Sequence, residues 1–152
     1  MKIIGNQREL KCDEDKGFTI LEVLFAVSIL SVGLLALASM QVSSIRGNAF
    51  AGNTSLGTTW GTDRIEKLIN LANEDYNDSL LVDSDGDGDG GLDDATDATA
   101  DHKDTQGDYS IYWNISSNSL INNTKTVNVI VIWVDHGAVK NVSMRYIIPR
   151  IS

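Results

Sequence analysis

The sequence predicts an α+β fold, with a helical N-terminal part packed on a C-terminal antiparallel sheet of about three strands. Three observations carry the prediction. Residues 18–40 form an apolar run with one acid and no base. Residues 109–148 hold three runs in which apolar and polar side chains alternate. Between these regions, residues 83–108 hold ten acids and one base, without periodicity. The whole-chain composition, 42% hydrophobic and 22% charged over 152 residues, is that of one folded domain. Net charge is −9 with no block of Lys or Arg, which argues against electrostatic binding of nucleic acid. A single cysteine, Cys12, permits no intrachain disulfide. His102 and His136 without a second thiol argue against a zinc site.

The first element is Phe18–Met40, 23 residues, about 35 Å long as a helix at about 1.5 Å per residue. That is enough to span a hydrocarbon core about 30 Å thick. Its only charge is Glu22, and a carboxylate inside a bilayer calls for a partner. A plain anchor and a cleaved secretory signal are two readings. Ala36-Leu37-Ala38 is a small-residue pattern, but the stretch is too long for a signal and Glu22 is misplaced. The third reading comes from the junction Lys16-Gly17-Phe18-Thr19-Ile20-Leu21-Glu22-Val23-Leu24. It resembles the processing site of type IV prepilins and related pseudopilins. The resemblance implies that residues 1–17 are a leader removed by a prepilin peptidase on the cytoplasmic face, between Gly17 and Phe18. It further implies N-methylation of Phe18 and a filament-core helix over 18–40. The new amine of one subunit then needs a counter-charge, which Glu22 of a neighbour supplies in low dielectric. Lys11 and Lys16 lie on the side expected to stay in the cytoplasm. Cys12 would leave with the leader.

Residues 41–76 carry Ile45, Ala49, Leu56, Trp60, Ile65, Leu68 and Ile69 at spacings that suit one helix face. Gly47, Gly52, Gly57 and Gly61 weaken the middle by about 1 kcal/mol each relative to Ala. Either a single bent helix runs from about residue 18 to 72, or the glycines break it. The pilin resemblance implies the single helix, with the glycines serving bending or close packing. Trp60 reads as core.

Residues 77–108 read as an acidic loop. Within Asp83–Asp94 (DSDGDGDGGLDD), Asp83, Asp85 and Asp87 fall at positions 1, 3 and 5 of a calcium loop. Gly88 falls at position 6, the Asp89 carbonyl at 7 and Asp94 at 12. Calcium is the cofactor this spacing suggests, because the ion accepts six to eight oxygens in loose geometry. A register starting at Asp85 competes, with Asp93, Asp97 or Asp101 available to complete the shell. A solvated acidic loop without metal is the bland alternative. His102 reads as a solvent-exposed loop residue.

The last region, residues 109–152, reads as a sheet. Tyr109, Ile111, Trp113 and Ile115 share one face of the first run, and Val127, Val129, Val131 and Trp133 one face of the second. Val139–Ile148 is the third. Asp135-His136-Gly137 signals a tight turn, with His136 a turn residue. The helix around Trp60–Leu71 is the cover for one face. Ile130 and Ile132 face the other way, so the acidic loop is expected to cover part of that side. Pro149 stops the last strand.

This order of elements is similar to the pilin architecture. The Phe-Thr-Ile-Leu-Glu-Val-Leu-Phe-Ala start, the Tyr-x-Ile-x-Trp-x-Ile run and the Lys-Thr-Val-x-Val-x-Val-x-Trp-Val-Asp run resemble the minor pilin PilV family, at both ends of the chain but not over 73–108. The resemblance implies a minor type IV pilin: an inner-membrane precursor with a cytoplasmic N-terminus, later part of a pilus at the cell surface. Its implied partners are other major and minor pilins, the prepilin peptidase and the inner-membrane assembly platform. A minor pseudopilin of a type II secretion system shares the same N-terminal motif. A membrane-anchored enzyme is the remote reading: no Ser/His/Asp or Cys/His arrangement is evident and the carboxylates sit in one loop, so no catalytic residue is expected.

Overall fold

The computed structural model describes residues 17–150. The expected leader, with Lys11, Cys12 and Lys16, lies outside the described residues apart from Gly17. The chain divides into two compact units, one ending at Ser44 and the other starting at Ile45.

Helix α1 spans Ile20–Glu74 as one element, so the glycines do not break it. Thr19 opens it: the Glu22 amide donates to Thr19 Oγ1 at 3.2 Å and the Val23 amide to the Thr19 carbonyl at 3.2 Å. The first of these satisfies an amide that a helix start otherwise leaves free, and the second is the first turn of the helix ladder. Through Ser44 the helix is exposed throughout, and it is long and apolar enough to cross a membrane. Its serines do not spoil that property. Ser28, Ser31 and Ser39 donate to the carbonyls of Leu24, Val27 and Ala36 at 2.8, 2.7 and 2.8 Å. Their hydroxyls are thereby satisfied within the helix, as a lipid environment demands.

In the second unit, α1 from Ile45 packs on a four-stranded antiparallel sheet in the order β1-β2-β3-β4. The strands are β1 His102–Gln106, β2 Tyr109–Ser117, β3 Thr124–Asp135 and β4 Ala138–Pro149. This α+β, pilin-like arrangement is the expected one, with one correction: there are four strands rather than three. The extra strand, β1 (HKDTQ), lies in the segment read as loop. It contains no large apolar residue, so it carries no hydrophobic period. Its ladder comes from β2, with His102 opposite Trp113 and Gln106 opposite Tyr109, and an edge strand of charged residues is normal.

The face of the sheet toward α1 is the core: Ile111, Trp113 and Ile115 from β2, and Val127, Val129, Val131 and Trp133 from β3. Leu68 of α1 is buried in it, with Trp60, Ile65 and Ile69 packed alongside. A fully buried leucine contributes roughly 1.5–3 kcal/mol relative to an exposed one. Two of the four glycines set the approach. A Cβ on Gly57 would lie 3.1 Å from the Trp133 ring, and one on Gly61 would meet the Met144 methyl and lie 3.3 Å from Val131. Gly47 and Gly52 face open space.

His102 is not a bystander. Its ring stacks on Trp113 with centroids 5.3 Å apart and Nε2 lies 2.9 Å from the Val82 carbonyl. The Arg64 guanidinium sits 4.4 Å from the centroid of the same indole and pairs with Asp104 of β1. Burial pushes the Arg64 pKa below its usual value. Trp113 Nε1 donates to the Leu80 carbonyl at 3.0 Å. One aromatic therefore ties α1, β1 and the start of the loop together.

Candidate functional site

The first candidate is the junction at Gly17–Phe18. A Cβ added at Gly17 would meet no atom within 4 Å, and Phe18 is 81% exposed. Both precede the first helical residue, Ile20. The scissile bond expected between them therefore lies in non-helical backbone just before α1. Glu22 stands in the first turn of α1, where a carboxylate complements the helix dipole. Phe18 and Glu22 line one shallow groove with Val23, Ala26, Val27 and Leu30. An amine created at residue 18 would thus stand on the same side of the helix as the carboxylate.

The second candidate is the acidic loop. The carboxylates of Asp83, Asp85 and Asp87 offer oxygens within 4.8 Å of one another. Backbone amides organise them: Asp83 Oδ1 accepts from Gly86 at 2.7 Å, Asp83 Oδ2 from Gly88 at 3.0 Å and Asp85 Oδ1 from Asp87 at 3.2 Å. Gly86 and Gly88 have φ of 82° and 60°, a region glycine enters without a Cβ penalty. Gly88 is the residue expected at the sharp turn. Partial desolvation, then the charges of Asp85, Asp83 and Asp94, raise the Asp87 pKa above the usual carboxylate value.

The remaining two expected ligands behave differently. The Asp89 side chain turns to β2, where Ser116 Oγ donates to Oδ1 at 2.5 Å. Hydrogen bonds from Ser116 and Ser119 hold its pKa below the usual value. Only its backbone carbonyl remains for the role assigned to it. Asp94 lies close enough to act electrostatically on Asp87, but it is not part of the three-carboxylate group.

The loop also does structural work that the sequence hid. Asn114 Nδ2 donates to the Leu92 and Asp94 carbonyls at 3.3 and 2.7 Å, and Asn128 Nδ2 donates to the Leu92 carbonyl at 2.7 Å. Both asparagines are buried. Asp101 accepts from the Ile115 amide at 2.8 Å and the Ser84 amide at 2.5 Å, so it fastens the two ends of the acidic segment to β2. Asn114, Ser116 and Asn128 look like the solvent-facing half of an alternating strand. The one available signal was Ile130 and Ile132 on their face, and it pointed correctly to cover by the loop.

Comparison with known proteins bears on the first candidate. A family model described as the prokaryotic N-terminal methylation motif matches residues 14–38. The match spans the junction, Glu22 and most of the apolar run. Together with the exposed apolar helix it supports a type IV prepilin-like protein, which implies processing by a prepilin peptidase, insertion in a membrane and assembly with other pilins. A motif of this kind indicates a structural pilin rather than an enzyme. No curated protein and no solved structure matches the chain.

Proposed function

We propose that the chain is a minor type IV pilin: a membrane-inserted precursor cut after Gly17, methylated on Phe18, and assembled into a pilus or used to prime one. The observation that carries this reading is the non-helical Gly17–Phe18 junction directly before an exposed apolar helix with Glu22 in its first turn. The roles follow from charge. Before cleavage the junction is neutral amide. Afterwards Phe18 bears an ammonium at the lipid boundary, and Glu22 of an adjacent subunit neutralises it as the helices pack. A free ammonium and a free carboxylate are each costly there, so pairing favours the assembled state. Glu22→Ala is expected to be cleaved normally and to be lost from sheared pili. Wild-type recovery of the variant in pili would refute the charge pairing. Recovery of the wild-type chain with secretion machinery and not with pili would assign it to the pseudopilins instead.

We further propose that the acidic loop binds calcium through Asp83, Asp85 and Asp87, with Asp94 and the Asp89 carbonyl completing the set. The donor chemistry supports the reading: hard carboxylate oxygens grouped at loop spacing with a glycine at the turn. Bound calcium would offset both the desolvation and the neighbouring aspartate charges that raise the Asp87 pKa. The ion would then serve as a staple for the loop in a chain without a disulfide. Calorimetry should show binding in the micromolar to submillimolar range. A calcium concentration 100 times Kd should add about 2.7 kcal/mol of stability. Asp85→Ala/Asp87→Ala should abolish both. Absence of binding at millimolar calcium would leave the loop as a purely structural cover.

A further inference from the structure

A polar pocket of about 210 Å³ lies at the end of the sheet where β2 runs into β3, beside the end of α1. Tyr76, Asn77, Asn118, Asn123, Lys125 and Arg150 line it. Lys125 is 7% exposed. Its ammonium donates to the Tyr76 and Leu81 carbonyls, each at 2.6 Å. An ammonium offers three donors, so one is left over. The Tyr76 ring lies between reach of both cations, with its centroid 4.6 Å from Lys125 Nζ and 5.7 Å from Arg150 Cζ. Among the described residues no carboxylate stands within ion-pair distance of either. Asp75 and Asp78 are close enough to act on Lys125, but their Oδ1 atoms accept the Asn77 and Leu80 amides at 2.9 and 2.8 Å. Burial holds the Lys125 pKa below its usual value against the charge of Asp75, and Arg150 pushes the same way as burial. Carbonyls give the buried ammonium hydrogen bonds but no counter-charge.

The loop between β2 and β3 walls the pocket. The Asn118 amide donates to the Thr124 carbonyl at 2.9 Å, the Asn123 amide to Asn118 Oδ1 at 2.8 Å, and Thr124 Oγ1 to the Ile121 carbonyl at 2.6 Å. Asn118 and Asn123 have φ of 58° and 61°, a region asparagine tolerates better than most residues. Although the loop is tied in this way, Leu120 and Ile121 stay 63% and 56% exposed. Two adjacent apolar side chains beside two cations suit a protein partner better than a free ion.

We infer that this pocket takes a carboxylate, the aspartate or glutamate side chain of a neighbouring pilin, whose apolar surface then covers Leu120 and Ile121. The inference rests on the pilin reading. Charge favours this occupant: a carboxylate supplies the counter-charge that Lys125 and Arg150 lack, and the asparagine amides add neutral donors. A neighbour displaced along α1 and pointing the same way can reach this end, so the contact agrees with helices that enter one membrane in one direction.

The test uses the full chain in its native host, with membranes and sheared pili as the two fractions. Arg150→Lys places an amine at the pocket, and a carbodiimide joins an amine to a touching carboxylate as an amide. Mass spectrometry is expected to find residue 150 joined to an aspartate or glutamate of another subunit. Arg150→Glu, which opposes two carboxylates, is expected to be lost from pili although its Phe18 is still exposed and methylated and its melting temperature is unchanged. No product between subunits from Arg150→Lys overturns the inference. So does a product confined to Asp75 or Asp78 of the same chain, or wild-type recovery of Arg150→Glu in pili. Stabilisation by inorganic phosphate that Arg150→Glu removes, without a product between subunits, would make the pocket a free-anion site instead. Failure of the pilin reading looks different: the wild-type chain itself would lack a methylated Phe18 and be missing from pili.

Discussion

At the scale of single residues, the same residue type does opposite things along α1. Gly52 faces open space, so Gly52→Ala should stabilise the unit from Ile45 onward by roughly 0.5–1 kcal/mol through helix propensity alone. Gly57 and Gly61 lie against Trp133, Met144 and Val131. Alanine there overpacks the core, and a net loss of roughly 1–3 kcal/mol is expected. Thermal melts of the three variants separate the two roles. The pattern of glycines is visible in the sequence, but it does not say which of them touch the sheet. That depends on how the helix meets β3 and β4, a tertiary fact.

Asp87 belongs to the same scale. Its pKa is raised, so the folded state binds its proton more readily than the unfolded state does. Its contribution is favourable at low pH and is lost as pH rises through the carboxylate range. Without calcium, Asp87→Asn should therefore raise the melting temperature at pH 7, and the gain should shrink toward pH 4. With calcium present the sign should reverse, because the substitution removes a ligand. A melting temperature unaffected by calcium in both proteins would contradict the metal reading.

At the scale of elements, the strands that were legible are those that lay an apolar row on α1, although the other face of β2 and β3 is buried as well. β2, β3 and β4 alternate because α1 covers them, and Asp135-His136-Gly137 marks the hairpin because positive φ favours such residues. β1 was illegible because its stability is borrowed. Asp97 takes Lys103 Nζ at 2.6 Å and the Tyr112 hydroxyl at 2.7 Å, fastening β1 and β2 to the loop. The Lys103 and Tyr112 hydrogen bonds hold the Asp97 pKa below its usual value. The sign is the opposite of Asp87: this stability is present above the unfolded carboxylate range and is lost as pH falls through the folded pKa. Asp97→Asn should lower the melting temperature at pH 7 and should blunt the loss of stability on acidification below about pH 4. Parallel acid melts of the two proteins would contradict that role.

At the scale of the whole molecule, the order of elements was readable: an apolar helix with a mixed continuation, an acidic loop, then a sheet. The N-terminal junction was the most informative stretch, because its glycine, aromatic, glutamate and apolar run are local in sequence. The metal candidate was only half legible. Spacing grouped Asp83, Asp85 and Asp87 and gave Asp89 only a carbonyl role, but it did not show that the Asp89 side chain is held by Ser116, 27 positions away. Long-range hydrogen bonds of that kind leave no periodic trace.

The pilin reading rests on the junction, and mass spectrometry of the mature N-terminus is its sharpest test. The chain would be recovered from the membranes of its native host. The expected N-terminus is a monomethylated Phe18, absent when the peptidase is inactive. An N-terminus at Met1, or one after Ala38, would contradict the pilin reading and return the apolar helix to a plain anchor or a secretory signal.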